Sequence, residues 1–376
     1  MDNTGSTQVD SQRAEVDAQL AGIAALARAQ RFREARARFQ ALPDPGRRPE
    51  VLRLRGQVDW GCGDYDAAVA GFEAAYALAP EDVAAIDTLA RACVSLGRLE
   101  QARSLLDRAL ERGQAEAALV LQRELVALDD GDLAASLARL HRSGIPGVDP
   151  HAYLAWRGLR LHCGLEAPGP IDMDHPRMQA SWSAIVYANA HRSGARLFGT
   201  AAQVLQEAVN QAPAEGLVLE CGVYFGRSIR YLAQCLPGVE IHGFDSFQGL
   251  PEDWQPGEPA GSYSTFGELP VVPDGVVLHR GWFDRTLPEF LSTRAGVPIR
   301  LLHVDCDLYS STREVLAACT GHLVPGSVIV FDDYMGYPGS EQHEFRAFAE
   351  WVAERGAGYC YLAFTLLGRE VAVRLL

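Results

Sequence analysis

Four aspartates in the C-terminal half of the chain stand where they could bind a metal ion. Asp305 and Asp307 follow one short apolar segment, and Asp332 and Asp333 follow the next one along the chain. Both segments are predicted strands, and because the carboxyl ends of parallel strands meet at one edge of a sheet, the four carboxylates should converge. Carboxylates so close together repel one another unless a cation lies between them. Their hard oxygens suit magnesium, calcium or manganese better than zinc. The sequence therefore predicts a divalent metal site.

A glycine-containing turn precedes these aspartates. Residues 217–228 comprise an apolar strand, the acid Glu220, a turn with Gly222 and Gly226, and the start of a helix. Such a turn lets the backbone approach a nucleotide-like cofactor, and Asp245, 25 residues after Glu220, is placed to bind ribose hydroxyls. The spacing G-x-x-x-G, rather than G-x-G-x-x-G, argues against a bound pyrophosphate and favours S-adenosylmethionine.

The order of the remaining elements predicts the fold around this turn. Further strands are expected at 240–244, 276–279, 299–304 and 327–331, and a hairpin is expected from 359 to 375. Together they predict an α/β, Rossmann-like fold of the class I methyltransferase type, with a seven-stranded sheet and an antiparallel C-terminal hairpin. Residues 178–212 are predicted to be one or two helices. The segment 247–270, with its exposed aromatics Trp254 and Tyr263, is expected to shape substrate choice.

The N-terminal half is self-similar. Gly63, Gly97 and Gly131 recur every 34 residues within similar patterns of small and aromatic residues. About four such units between residues 15 and 143 resemble tetratricopeptide repeats and predict an all-α domain. Its surface is expected to dock a partner, mediate self-association or form a wall beside the active site, and the sequence does not choose among these roles.

Composition excludes several functions. All 34 basic residues are arginine, so chemistry that needs a lysine is impossible in this chain. The net charge of -14 makes nucleic acid an improbable partner. The eight cysteines form no C-x-x-C pair, and no apolar run reaches the length of a membrane span. We expect a cytoplasmic protein that does not act at a membrane.

Proline and glycine positions predict the domain boundaries. We expect a disordered tail at residues 1–12, the repeats at 13–145, a proline-rich linker at 146–177 and the methyltransferase domain at 178–376.

Five ordered motifs resemble the macrocin O-methyltransferase family. They lie at residues 219–226, 243–251, 281–288, 303–312 and 331–334. The resemblance covers about residues 200–376. It implies a class I fold that uses S-adenosylmethionine and a magnesium-type ion to methylate hydroxyls of deoxysugars on natural products.

The resemblance also implies roles for individual residues. Asp305, Asp332 and Asp333 would bind the metal, and Asp307 would act as the general base. The residues expected to bind the cofactor are Glu220, Gly222, Tyr224, Gly226, Ser228, Asp245, Ser246 and Trp282.

Two other functions stay open at this point. The pair Asp305 and Asp307 forms a D-x-D motif, which metal-dependent glycosyltransferases also use. Alternatively, the repeats could be a scaffold attached to a vestigial methyltransferase domain. A catechol acceptor is disfavoured, because the enzymes that methylate catechols resemble one another in using a lysine near the metal. His303, inside a buried strand, is expected to be structural.

Overall fold

The computed structural model describes residues 4–42 and 46–376. The chain divides into two compact units. The first comprises Met1–Cys93 and Glu100–Leu119, and the second comprises Val94–Leu99 and Val120–Leu376.

The N-terminal part of the chain is a series of helices. They are α1 (Thr4–Arg28), α2 (Phe32–Gln40), α3 (Pro49–Gly61), α4 (Tyr65–Leu78), α5 (Val83–Ser95), α6 (Leu99–Glu111), α7 (Ala117–Ala127) and α8 (Leu133–Ser143). The recurring glycines Gly63, Gly97 and Gly131 all have positive φ, between 70° and 76°, in the turns that follow α3, α5 and α7. Glycine adopts this backbone conformation without a steric penalty, which explains its recurrence at each turn.

Small residues allow the paired helices α3 and α4 to pack closely. A Cβ on Gly56 would lie 2.5 Å from the ring of Phe72, and one on Gly71 would lie 3.2 Å from the carbonyl oxygen of Leu52. The small repeat residue Ala68 is fully buried, and Phe72 is buried beside it. The predicted helical repeats therefore have the expected close-packed interior.

Two predicted boundaries need correction. Of the expected tail, residues 1–3 lie outside the described residues, whereas residues 4–12 belong to α1, in a stretch without the proline that would stop a helix. The expected linker contains helix α9 (Pro150–His162) and precedes α10 (Pro176–His191). Both prolines stand at the start of a helix, where the missing N–H costs nothing, so they begin helices rather than break them.

The second unit is built on an eight-stranded sheet. Its strands are β1 (Arg196–Phe198), β2 (Leu217–Cys221), β3 (Ile241–Asp245), β4 (Val276–Arg280), β5 (Ile299–Val304), β6 (Val328–Phe331), β7 (Tyr359–Thr365) and β8 (Val371–Leu375). Their order is β1-β7-β8-β6-β5-β2-β3-β4, and only β8 is antiparallel to its neighbours. The predicted fold class is confirmed, but the predicted count of seven strands is wrong. The additional strand β1 has three residues, too few to show a period-two pattern.

Helices separate the strands along the chain. They are α11 (Ala201–Gln211), α12 (Arg227–Cys235), α13 (Phe283–Ser292), α14 (Tyr309–Cys319) and α15 (Glu344–Arg355). Every residue of β5 and β6 is buried, as expected for central strands covered on both faces. Because β2, β5 and β6 are adjacent and parallel, their carboxyl ends lie side by side. Within the described ranges, no helix combines the length and the hydropathy that crossing a membrane requires.

Candidate active site

Three ligand-type side chains meet at the carboxyl ends of β5 and β6. One ligand atom each from His303, Asp305 and Asp332 lies within 4.8 Å of the others. His303 is in β5, Asp305 directly follows β5, and Asp332 directly follows β6. The structure thus brings two of the three predicted metal ligands together and adds a histidine to them.

The imidazole of His303 is held in place by acids on both sides. Its Nδ1 lies 2.9 Å from Oε2 of Glu220, and its Nε2 lies 3.7 Å from Oδ1 of Asp332. Burial lowers the pKa of His303, but the hydrogen bonds that its ring donates to Asp332 and Glu220 outweigh burial, and the pKa is raised well above its ordinary value. Metal-binding histidines are commonly oriented in this way, with a carboxylate on one ring nitrogen and the other directed at the ion.

This cluster fits a divalent cation by its chemistry. Burial and the negative charge of Asp332 raise the pKa of Asp305 well above its ordinary value. A cation between the two carboxylates would remove that conflict. Carboxylate oxygens suit magnesium and manganese.

Asp333, the third predicted ligand, is not a member of this cluster. Its carboxylate forms an ion pair with Arg369, which lies in the turn between β7 and β8, and its N–H donates to Oε2 of Glu344 at 2.9 Å. Burial and the charge of Asp332 raise the pKa of Asp333 to about 6, although Arg369 opposes the shift. Asp332 and Asp333 therefore have different partners, although they are adjacent in the chain.

Asp307, the predicted base, has a strained backbone. Its φ is +61°, in the left-handed region, and the N–H of Leu308 donates to the carbonyl of Cys306 at 2.6 Å across the same tight turn. Burial, followed by the negative charges of Asp333 and Asp305, raises the pKa of Asp307 well above its ordinary value. Non-glycine residues are rarely held in this conformation outside functional sites.

Gly222 is required by the packing of the strand ends. Its φ is +94°, and a Cβ on it would lie 1.6 Å from the carbonyl oxygen of Asp305. The sequence suggested that this glycine brings the backbone close to a ligand. In the structure it brings the turn after β2 close to the backbone of Asp305, one of the clustered acids.

Replacing Gly222 with alanine is expected to destabilise the protein by about 3 kcal/mol or more, because it combines backbone strain with a direct clash. Gly238 is a matched control, since its φ is +79° and no atom lies within 4 Å of the point that a Cβ would occupy. Gly238→Ala should cost only about 1 kcal/mol. Urea unfolding followed by circular dichroism measures both changes, and equal losses would refute the clash.

Asp245 shapes the glycine-containing turn. Its Oδ2 accepts hydrogen bonds from the N–H groups of Val223 and Tyr224, both at 2.8 Å, and its Oδ1 accepts one from Phe247 at 2.6 Å. The carboxylate predicted to bind ribose therefore also fixes the backbone of two loops. Carboxylates can accept further hydrogen bonds, so a ribose hydroxyl remains compatible with this arrangement.

The other predicted cofactor residues lie near the same edge. Gly226 has a φ of +77° and caps the start of α12, and Ser228 donates from Oγ to Oε1 of Glu220 at 3.0 Å. Tyr224 has a φ of +51°. Ser246 is buried and accepts from the N–H of Gln248 at 3.0 Å, whereas Trp282 precedes α13 and is partly exposed.

Sequence reasoning missed three residues that contact the predicted acids at this site. His303 could have been found, because it stands two residues before Asp305 and alternate residues of a strand share a face. Glu344 at the start of α15 and Arg369 in the C-terminal turn gave no local signal, since each reaches Asp333 only through the tertiary fold.

Known families match both halves of the chain. A family model described as a methyltransferase domain matches residues 219–334. A tetratricopeptide repeat model matches residues 61–123. The chain therefore carries a methyltransferase domain preceded by tetratricopeptide repeats, and both predictions from the sequence are confirmed. No curated protein matches the chain.

Solved structures similar to this chain include two methyltransferases and a repeat protein. CalS11, a calicheamicin methyltransferase, is 24% identical over 46% of this chain and 75% of its own, with a TM-score of 0.36. The O-methyltransferase NovP is 19% identical over 60% of this chain and 99% of its own, with a TM-score of 0.34. A thermophilic TPR protein from Thermus thermophilus is 23% identical over 47% of this chain and 93% of its own, with a TM-score of 0.34. Likeness at this level does not identify an acceptor.

Proposed function

We propose that the protein is a metal-dependent O-methyltransferase that transfers a methyl group from S-adenosylmethionine to a hydroxyl of a sugar or a glycosylated natural product. The observation that carries the proposal is the convergence of His303, Asp305 and Asp332 within 4.8 Å. The glycine-containing turn follows β2, the neighbour of β5, so the donor and the cation would share one edge of the sheet.

S-adenosylmethionine, when bound, supplies a methyl group on a sulfonium. The backbone turn after β2, held by Asp245, would position the donor, because both Val223 and Tyr224 are fixed by that carboxylate. The residues proposed to line the cofactor are Glu220, Gly222, Tyr224, Gly226, Ser228, Asp245, Ser246 and Trp282.

His303, Asp305 and Asp332 are the residues proposed to hold the divalent ion, which is magnesium or manganese. The ion, when bound, supplies positive charge that lowers the pKa of an acceptor hydroxyl. Glu220 fixes the ring of His303, and Arg369 with Glu344 fixes Asp333 beside the cluster. The protein therefore holds the site rigid before the acceptor arrives.

Asp307 is proposed to take the proton of the acceptor hydroxyl. Asp307 lies in the tight turn after β5, and burial, together with the charges of Asp333 and Asp305, raises the pKa of its carboxylate and makes it a better proton acceptor. General-base catalysis of this kind contributes about 10²- to 10⁴-fold to a rate.

The repeats are proposed to bind a protein partner or to mediate self-association.

The eight cysteines are all free thiols, which supports a cytoplasmic location.

Incubating the full chain with S-adenosylmethionine, magnesium and a panel of neutral glycosides tests the proposed function. Mass spectrometry should detect a gain of about 14 Da on an acceptor, because a methyl group replaces a proton, and chelation of the metal should abolish it. Calorimetry should detect binding of S-adenosylhomocysteine. Binding of a nucleotide sugar in place of S-adenosylhomocysteine would contradict the proposal and favour glycosyl transfer.

A further inference from the structure

The segment after β3 is a loop held together by its own backbone hydrogen bonds. The N–H of Leu250 donates to the carbonyl of Ser262 at 2.9 Å, and the N–H of Gly261 donates back to Leu250 at 2.8 Å. At the far end, the N–H of Gly267 donates to the carbonyl of Phe247 at 2.7 Å. These bonds fix residues 247–267, which belong to the segment expected to shape substrate choice. One of its two expected exposed aromatics, Trp254, is in fact buried.

Tyr263 is the aromatic residue that this loop presents at the site. Its ring centroid lies 5.8 Å from that of Tyr224 in the cofactor turn and 6.5 Å from that of Trp254. The φ of Tyr263 is +61°, which a bulky residue adopts only at a cost in free energy. Nevertheless 41% of the residue is exposed, so the loop holds a large ring partly open to solvent.

The phenol of Tyr263 is partly buried and lies within the negative field of several acids. Burial is the main cause that raises the pKa of the phenol. The negative charges of Asp307, Glu258 and Asp333 raise this pKa further, whereas the positive charge of Arg369 lowers it. The hydroxyl therefore stays protonated and can donate a hydrogen bond. The same negative charges disfavour an anionic group at this position.

We propose that Tyr263, which lies beside Tyr224 of the cofactor turn, is an acceptor-binding residue that packs its ring against a neutral, hydroxyl-bearing ring. This inference rests on the proposed function. The ring supplies an apolar face, and the hydroxyl supplies a hydrogen bond to an acceptor oxygen. Tyr263 would thereby help select which hydroxyl reaches Asp307.

Phe266 provides a matched control within the same loop. It also has a positive φ, +60°, and it is 72% exposed. Thr265, the residue before Phe266 in the chain, is buried and donates from Oγ1 to the carbonyl of Glu268 at 2.6 Å. Phe266→Ala therefore removes an exposed, strained aromatic residue without touching the proposed contact.

Saturation-transfer NMR with methyl α-L-rhamnopyranoside tests the inference. The full chain is saturated with S-adenosylhomocysteine and magnesium, and wild type is compared with Tyr263→Ala, Tyr263→Phe and Phe266→Ala. We expect transfer to the glycoside ring protons in wild type, at least fivefold weaker transfer in Tyr263→Ala, an intermediate loss in Tyr263→Phe, and no loss in Phe266→Ala. The affinity for S-adenosylhomocysteine should change less than twofold in all variants.

Three outcomes would overturn the inference. The first is that saturation transfer to the glycoside is equal in wild type and Tyr263→Ala. The second is that Tyr263→Ala and Phe266→Ala lose transfer equally. The third is that wild type binds S-adenosylhomocysteine but shows no transfer to the glycoside. Failure of wild type to bind S-adenosylhomocysteine is a different result, because it would refute the proposed function itself.

Discussion

Replacing Asp307 with asparagine is expected to lower kcat for methyl transfer by about 10³-fold, because the variant cannot accept the proton of the acceptor hydroxyl. Asparagine tolerates a positive φ, so the backbone at +61° should be retained. Steady-state kinetics would measure the loss, which corresponds to roughly 4 kcal/mol of activation free energy. Binding of S-adenosylhomocysteine should be unchanged in calorimetry.

An acid away from the site serves as the control for this prediction. Asp274 is exposed in the loop before β4, and Asp274→Asn should keep full activity. A turnover of Asp307→Asn within tenfold of wild type would show that another group takes the proton.

Replacing Asp305 with asparagine is expected to lower metal-dependent turnover by more than about 10³-fold. Without metal, the variant should nevertheless be at least as stable as wild type. Burial and the charge of Asp332 already disfavour the ionised form of Asp305 in the folded protein, as its raised pKa shows. A neutral amide removes that repulsion, which is the usual trade between stability and function at such sites.

Thermal unfolding in the presence of a chelator, together with kinetics in magnesium, would measure both effects of Asp305→Asn. Glu220→Gln is a useful comparison, because it disturbs the partner of His303 rather than a proposed ligand. A large loss of stability in metal-free Asp305→Asn would show that this carboxylate is structural.

The convergence of the acids could be predicted from the sequence because it depends on few assumptions. Short, mainly apolar segments identify β5 and β6, and a parallel sheet brings their carboxyl ends to one edge. Asp305 and Asp332 therefore had to be neighbours, whatever the details of the loops. The recurring glycines of the repeats were equally predictable, since their positive φ reflects a property of the residue itself.

The partner of Asp333 could not be predicted, because Arg369 lies 36 residues away in a turn whose position depends on the register of β7 and β8. The helix α9 was missed for a different reason. The prolines of residues 146–177 predict a linker, whereas the capping hydrogen bond from the N–H of Ala152 to Asp149, at 2.7 Å, makes Pro150 a helix start.

Manganese titration followed by electron paramagnetic resonance, with S-adenosylhomocysteine present, tests the central claim most directly. If His303, Asp305 and Asp332 hold a cation beside the donor, wild type should bind one manganese ion per chain in this site, and Asp305→Asn should lose it. The account would be contradicted if wild type bound no manganese, or if Asp305→Asn bound it as tightly as wild type.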